Sequence, residues 1–175
     1  MGMRSFSNYH GVRLFHAEAT VLTALEQTLG KLIPYVYEID WGCFGYTGEN
    51  KHVTALGLYE QVLESFPETI IQLSNLRTLD LGHNQLQSLP ETFGQLTQLT
   101  SLDLSYNQLP SLPETFGQLS NLRSLSLSDN QFETLPEFLG DLRNLKDLYL
   151  YRNPLNSLSD SIKKLKKRGC RVYGA

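Results

Sequence analysis

Cysteine is nearly missing from this sequence. Its 175 residues include only Cys43 and Cys170, near opposite ends. Two thiols so placed exclude a disulfide framework and a Cys-rich zinc module. A reducing, cytoplasmic setting is the simplest expectation. No apolar run approaches the roughly 18–20 residues that span a bilayer, so no membrane role is expected. The opening residues, MGMRSFSNYHGVRLF, lack the long apolar stretch of a secretory signal. A myristoylation signal needs Ser or Thr at position 6, where Phe6 stands. No Asn-x-Ser/Thr acceptor occurs. The four histidines (His10, His16, His52, His83) have none of the spacings of a zinc helix or finger. G-x-S-x-G and Walker motifs are missing too. The chain is therefore expected to have no catalytic residues, no metal, no cofactor and no small-molecule substrate, and not to be an enzyme.

Charge is sparse, at 19% of residues, while 41% are apolar. That balance suits a buried core and excludes a disordered chain. Six of the 15 basic residues fall in residues 162–175, which contain no acid, so the rest of the chain holds all 18 acids. An acidic body with a basic end disfavours nucleic acid, because phosphate contacts need a positive surface. Binding through the basic C-terminus is the weaker alternative.

What the sequence has in abundance is a repeat. Units starting at Val53, Leu76, Leu99, Leu122 and Leu145 lie 23 residues apart. The middle three read LRTLDLGHNQLQSLPETFGQLTQ, LTSLDLSYNQLPSLPETFGQLSN and LRSLSLSDNQFETLPEFLGDLRN. Leucines alternate at the fourth and sixth positions, as in Leu79/Leu81 and Leu102/Leu104, so each unit holds a short strand with leucines inward. The ninth position is Asn84, Asn107, Asn130 and Asn153 in the last four units. A buried amide at a turn both donates to and accepts from orphaned backbone groups, so these four form a structural ladder. The fourteenth position, from Phe66 to Leu158, is apolar, and proline follows it (Pro67, Pro90, Pro113, Pro136), with Ser159 in the last unit. An acid comes next each time, suiting the first turn of a short helical return. No unit can bury its leucines alone, but a stack of them can.

The pattern L-x-x-L-x-L-x-x-N-x-L resembles the leucine-rich repeat. The 23-residue form with LPETFGQL is similar to the intracellular class found in Ras-pathway scaffolds, plant intracellular relatives and prokaryotic proteins. The resemblance implies an α/β repeat solenoid. This would be a right-handed horseshoe segment with a parallel concave sheet and short helical or 3₁₀ convex returns. It implies protein binding on the concave face and no reaction.

The division expected is a mobile segment over 1–16, an α/β cap over 17–52, five repeats over 53–167 and a C-terminal cap over 168–175. In the first cap, Val21, Leu22, Leu25, Leu29, Leu32 and Ile33 fall on one helical face, with Gly30 and Pro34 as the stop. Residues 37–41 alternate like a half-buried strand, and Trp41 is expected in the cap core. Residues around TGEN predict a hairpin leading into the first repeat.

Function is expected on strand positions that point away from the leucines. The candidates are Asp80, His83, Asp103, Tyr106, Asp129, Asp147, Tyr149, Tyr151 and Arg152. Tyrosine and arginine are enriched at interface hot spots, and the aspartates predict a basic protein or peptide partner. Five strands about 4.8 Å apart span only about 19 Å. That favours a loop or peptide, near the lower interface class of about 1,200 Å². The expected role is a scaffold or regulatory interaction module. The alternative is a non-catalytic subunit or recognition arm of a larger enzyme or GTPase assembly.

Overall fold

The structure is a computed structural model that describes residues 5–156 and 160–174. Leu158 and Ser159, read above as core and proline substitute, lie outside the described residues. Two strands open the chain, β1 (Phe6–Tyr9) and β2 (Val12–Phe15), followed by α1 (His16–Leu29). A hairpin follows, β3 (Phe44–Glu49) with β4 (His52–Leu58). Next come the short repeat strands β5 (Thr78–Asp80), β6 (Ser101–Asp103), β7 (Ser124–Ser126) and β8 (Asp147–Tyr149). The chain closes with α2 (Asp160–Lys167) and β9 (Arg171–Tyr173).

Among the described residues, β3 to β9 make one seven-stranded sheet in chain order. Only β3–β4 is antiparallel; from β4 to β9 each strand pairs with the next in parallel. The register places identical repeat positions side by side, as in Leu79↔Leu102 and Leu102↔Leu125. The first four parallel crossovers are made by 3₁₀ turns, over Glu68–Gln72, Glu91–Gln95, Glu114–Gln118 and Glu137–Asp141, and the last, from β8 to β9, contains α2. The preceding prolines are extended and stand one residue outside these turns. Pro there fixes φ and needs no hydrogen-bond partner for its nitrogen.

Ile70, Phe93, Phe116 and Leu139 drop from the turns into the core and are fully buried, and Phe93 stacks on Phe116 at 5.8 Å. One continuous apolar core runs from Tyr9 and Leu14 to Ile162, Leu165 and Cys170. Sheet strands are spaced more closely than the turns behind them are thick, so the open face of the sheet is the concave one.

Three expectations about the residues before the hairpin β3–β4 do not hold. Residues 6–15 are not a loose segment: β1 and β2 form a hairpin in which Tyr9 and Leu14 are buried. The reason is that one face of α1 needs a second cover, and Val21, Leu22 and Leu25 lie in the same core cluster. Residues 37–41 form no strand either; only Tyr35 bridges to Tyr46. Gly30, in the left-handed conformation at φ 67°, ends α1. It turns Leu32 into solvent rather than onto the helical face.

No described helix is long and apolar enough to cross a membrane, and no cluster of three or more His, Cys, Asp or Glu is placed to hold a metal among the described residues.

Candidate functional site

The concave face is built by three local devices. The first is the asparagine ladder. Asn107 donates through Nδ2 to the carbonyls of Leu81, Leu104 and Ser105 at 2.9–3.2 Å and accepts from the Leu86 N–H at 3.0 Å. Asn84, Asn130 and Asn153 repeat the pattern in their own units. Each amide thus ties a turn to the unit before it.

The second device is a column of strained backbone. Glu60, His83, Tyr106, Asp129 and Arg152 occupy one repeat position and all have φ between 53° and 56°. That left-handed conformation costs a non-glycine residue on the order of 1 kcal/mol. The ladder beneath holds it, and it throws these side chains out along the rim. They touch one another: His83 stacks on Tyr106 at 3.9 Å and lies 4.8 Å from Tyr59. Arg152 pairs with Asp129 at 3.3 Å.

The third device is a strap. Residues 36–43 cross the open face of the first repeats. The Gly42 N–H donates to Asp80 Oδ2 at 2.8 Å, and the Tyr59 N–H donates to the Cys43 carbonyl at 3.4 Å. Gly57 makes this possible, because a Cβ there would strike the Cys43 carbonyl. A small cavity of about 170 Å³ remains under the strap, between Trp41 and the Asp80–Asp103 pair.

The strap changes the standing of two candidates. Asp80 and Asp103 are only 3% and 6% exposed, so they are floor and anchor rather than open contact surface. Asp80 also accepts from the Gly82 N–H, and Asp103 from the Ser105 N–H, at 2.8 and 2.7 Å. The two residues are register partners on adjacent strands. Burial raises both carboxyls; Asp103, with Asp80 adding to the effect, is pushed up to about 6.

Trp41 is the residue that sequence reasoning missed. It is 53% exposed, not part of the cap core, and its ring stands over the sheet, 6.1 Å from Tyr149. The signal was the absence of side chain at Gly57 and Gly82, which leaves room above the first strands.

Beyond the strap, a cavity of about 550 Å³ opens between Trp41 and the C-terminal half of the face. Tyr106, Tyr149 and Tyr151 form its walls with Trp41; Ser105, Ser126 and Ser128 form its floor; Asp129 and Arg152 bring the charges. Five of the sequence-derived candidates therefore meet in one place. His83 lies next to them through Tyr106. Asp147 lies behind, paired with Arg171 at 2.7 Å. Both aspartates of this half, Asp129 and Asp147, thus already carry a partner from the chain itself.

The family model described as Leucine rich repeat matches residues 51–109 and 111–155. No curated protein matches the sequence. Among solved structures, the chain is similar to a leucine-rich repeat protein of Leptospira interrogans, at 35% identity and a TM-score of 0.61, over 67% of this chain and 30% of that one. It is similar to an internalin from Listeria monocytogenes at 28% identity and a TM-score of 0.53, over 63% of this chain and 32% of that one. It is also similar to the leucine-rich repeat ectodomain of the receptor kinase SOBIR1 from Arabidopsis thaliana, at 25% identity and a TM-score of 0.67, over 91% and 92%. The chain spans about a third of the length of the two bacterial proteins.

Proposed function

The chain belongs to the leucine-rich repeat family, and from that premise we propose that it binds a protein or peptide on the C-terminal half of its concave face, as a scaffold or regulatory module. Leucine-rich repeat domains generally mediate protein–protein interaction and are typically non-catalytic. The observation that carries the reading is the aromatic cavity of about 550 Å³, which joins four large rings to serines, Asp129 and Arg152. Tyrosines offer a large, rigid contact area with few rotors. The strap fills the N-terminal half, where the strands present Ala55, Gly57 and Thr78, so a partner meets the other end.

A basic partner fits the acidic body of the molecule, which would attract it at long range. Close contact is a different matter. Asp129 and Asp147 are engaged by Arg152 and Arg171, so a basic partner has to compete with them. The extent of the bacterial relatives favours a second form of the same reading, in which this solenoid is a recognition arm of a larger assembly.

The test is capture of a partner from source lysate, followed by titration. Tyr106→Ala combined with Tyr149→Ala should weaken binding at least about tenfold, or about 1.4 kcal/mol. The exposed convex residues Gln95 and Gln118 should tolerate alanine with no change. Loss of binding through the convex changes alone would put the site on the other side.

A further inference from the structure

Two aromatic walls meet near a right angle over the cavity. The Trp41 and Tyr149 rings have planes 75° apart. Tyr149 is backed by the nearly parallel ring of Tyr173 at 4.8 Å. Tyr106 and Tyr151, 42% and 50% exposed, bound other sides. Such a corner gathers four aromatic rings around one volume, and a cation is attracted to the face of such a ring.

The counter-charge comes from Asp129 in the lining and from Asp147 behind it. The side chains of Asp129 and Asp147 are 19% and 17% exposed, whereas Arg152 and Arg171, which pair with them, are 74% and 67% exposed. Acids are therefore inside and bases outside. The Tyr149 hydroxyl is raised first by burial and then by Asp147, which fits a negative field at this spot.

The chain itself brings one cation to the rim of the cavity, Arg152. Arg152 Nη1 donates to Asp129 Oδ1 at 3.3 Å, and Asp129, then Tyr106, favour its charged form. So exposed a pair is worth little and is easily exchanged.

We propose that this cavity receives a single cationic side chain of the partner, an arginine or a methylated lysine, and that Arg152 is the internal stand-in which that side chain displaces. The proposal rests on the concave-face reading above and adds the chemistry of its occupant. A guanidinium or quaternary ammonium suits the corner better than a bare ammonium, because it is more weakly hydrated and stacks on aromatic faces.

Trp41 is the sole tryptophan of the chain, so its fluorescence reports the cavity directly. The full chain would be titrated with tetramethylammonium chloride and with N-acetylarginine amide. Sodium chloride at equal ionic strength and the neutral sugar maltohexaose serve as comparisons. Both cations should change the emission saturably, and neither comparison should. Tyr149→Leu should weaken the cations about tenfold, and Asp129→Asn should weaken them too. Arg152→Ala should strengthen them about threefold by freeing Asp129. Should Tyr149→Leu fail to fold by circular dichroism, Tyr106→Leu on the exposed rim replaces it and should also weaken the cations. No saturable response to either cation overturns the proposal, as does saturation by maltohexaose alone or weaker cation binding in Arg152→Ala. The two readings also separate with a captured partner. A partner lost with the tyrosines yet indifferent to added cations keeps the docking face and sinks the cation site; a partner indifferent to the tyrosines sinks both.

Discussion

Asn107→Ala should destabilise the fold by about 3–5 kcal/mol. Asn107 is 8% exposed, and its amide serves three carbonyls and one N–H across two repeats. Alanine removes every one of these partners and leaves the backbone groups without replacement. An unsatisfied buried polar group costs about 1–3 kcal/mol, and several are created at once. The loss also releases the backbone under Tyr106, whose left-handed φ of 53° the ladder holds in place. Urea unfolding followed by circular dichroism measures the change. Gln108→Ala, at the exposed next position, is the control and should shift stability by no more than about 0.5 kcal/mol. A cost below 1 kcal/mol for Asn107→Ala would mean that the ladder is decoration.

The effect of Asp103→Asn should have the opposite sign, a gain of about 2–3 kcal/mol at neutral pH. The Asp103 carboxyl stands at about 6 in the folded chain, against an ordinary value of 3.8, first because it is buried and further because Asp80 lies beside it. The folded state therefore holds a proton that the unfolded state releases between those two values. Wherever the folded state binds more protons, stability falls as pH rises. This group thus lowers stability progressively from about pH 4 to about pH 6, and the full cost persists above that. At about 1.4 kcal/mol per unit, the shift corresponds to about 3 kcal/mol. Asparagine keeps an acceptor for the Ser105 N–H and removes the charge. Wild type and variant should be equally stable near pH 3.5 and diverge through the window. Subtracting the two curves isolates Asp103 from carboxyls of the other sign, such as Glu26 and Asp160, which are lowered. A variant less stable than wild type at pH 7 would show that the carboxylate is an anchor the strap needs.

The strap gives this pair of acids its place in function. Gly42 hangs from Asp80, and Trp41 follows Gly42 in the wall of the cavity. Charge at the Asp80–Asp103 pair thus bears on how the aromatic corner is held, although both residues are buried.

Much of the solenoid was legible in the sequence because it is written five times. A period of 23 residues fixes the register of each strand against its neighbour. It also separates the leucines that point in from the residues that point out. Each repeat touches only the next, so a local pattern determines the stack. The asparagine ladder and the tyrosines of the C-terminal half followed from the same columns. The cap occurs once, and no column exists to read it by. The docking of the Phe6–Phe15 hairpin on Lys51, the bare Gly57 beneath Cys43 and the burial of Asp80 and Asp103 depend on contacts between segments far apart in the chain. Gly42 and Asp80 are 38 residues apart, and Trp41 reaches Tyr149 across four repeats. Such contacts pair residues of unrelated local pattern. What selects them is the fit of one folded surface on another, and only the tertiary structure could decide which half of the face stayed open.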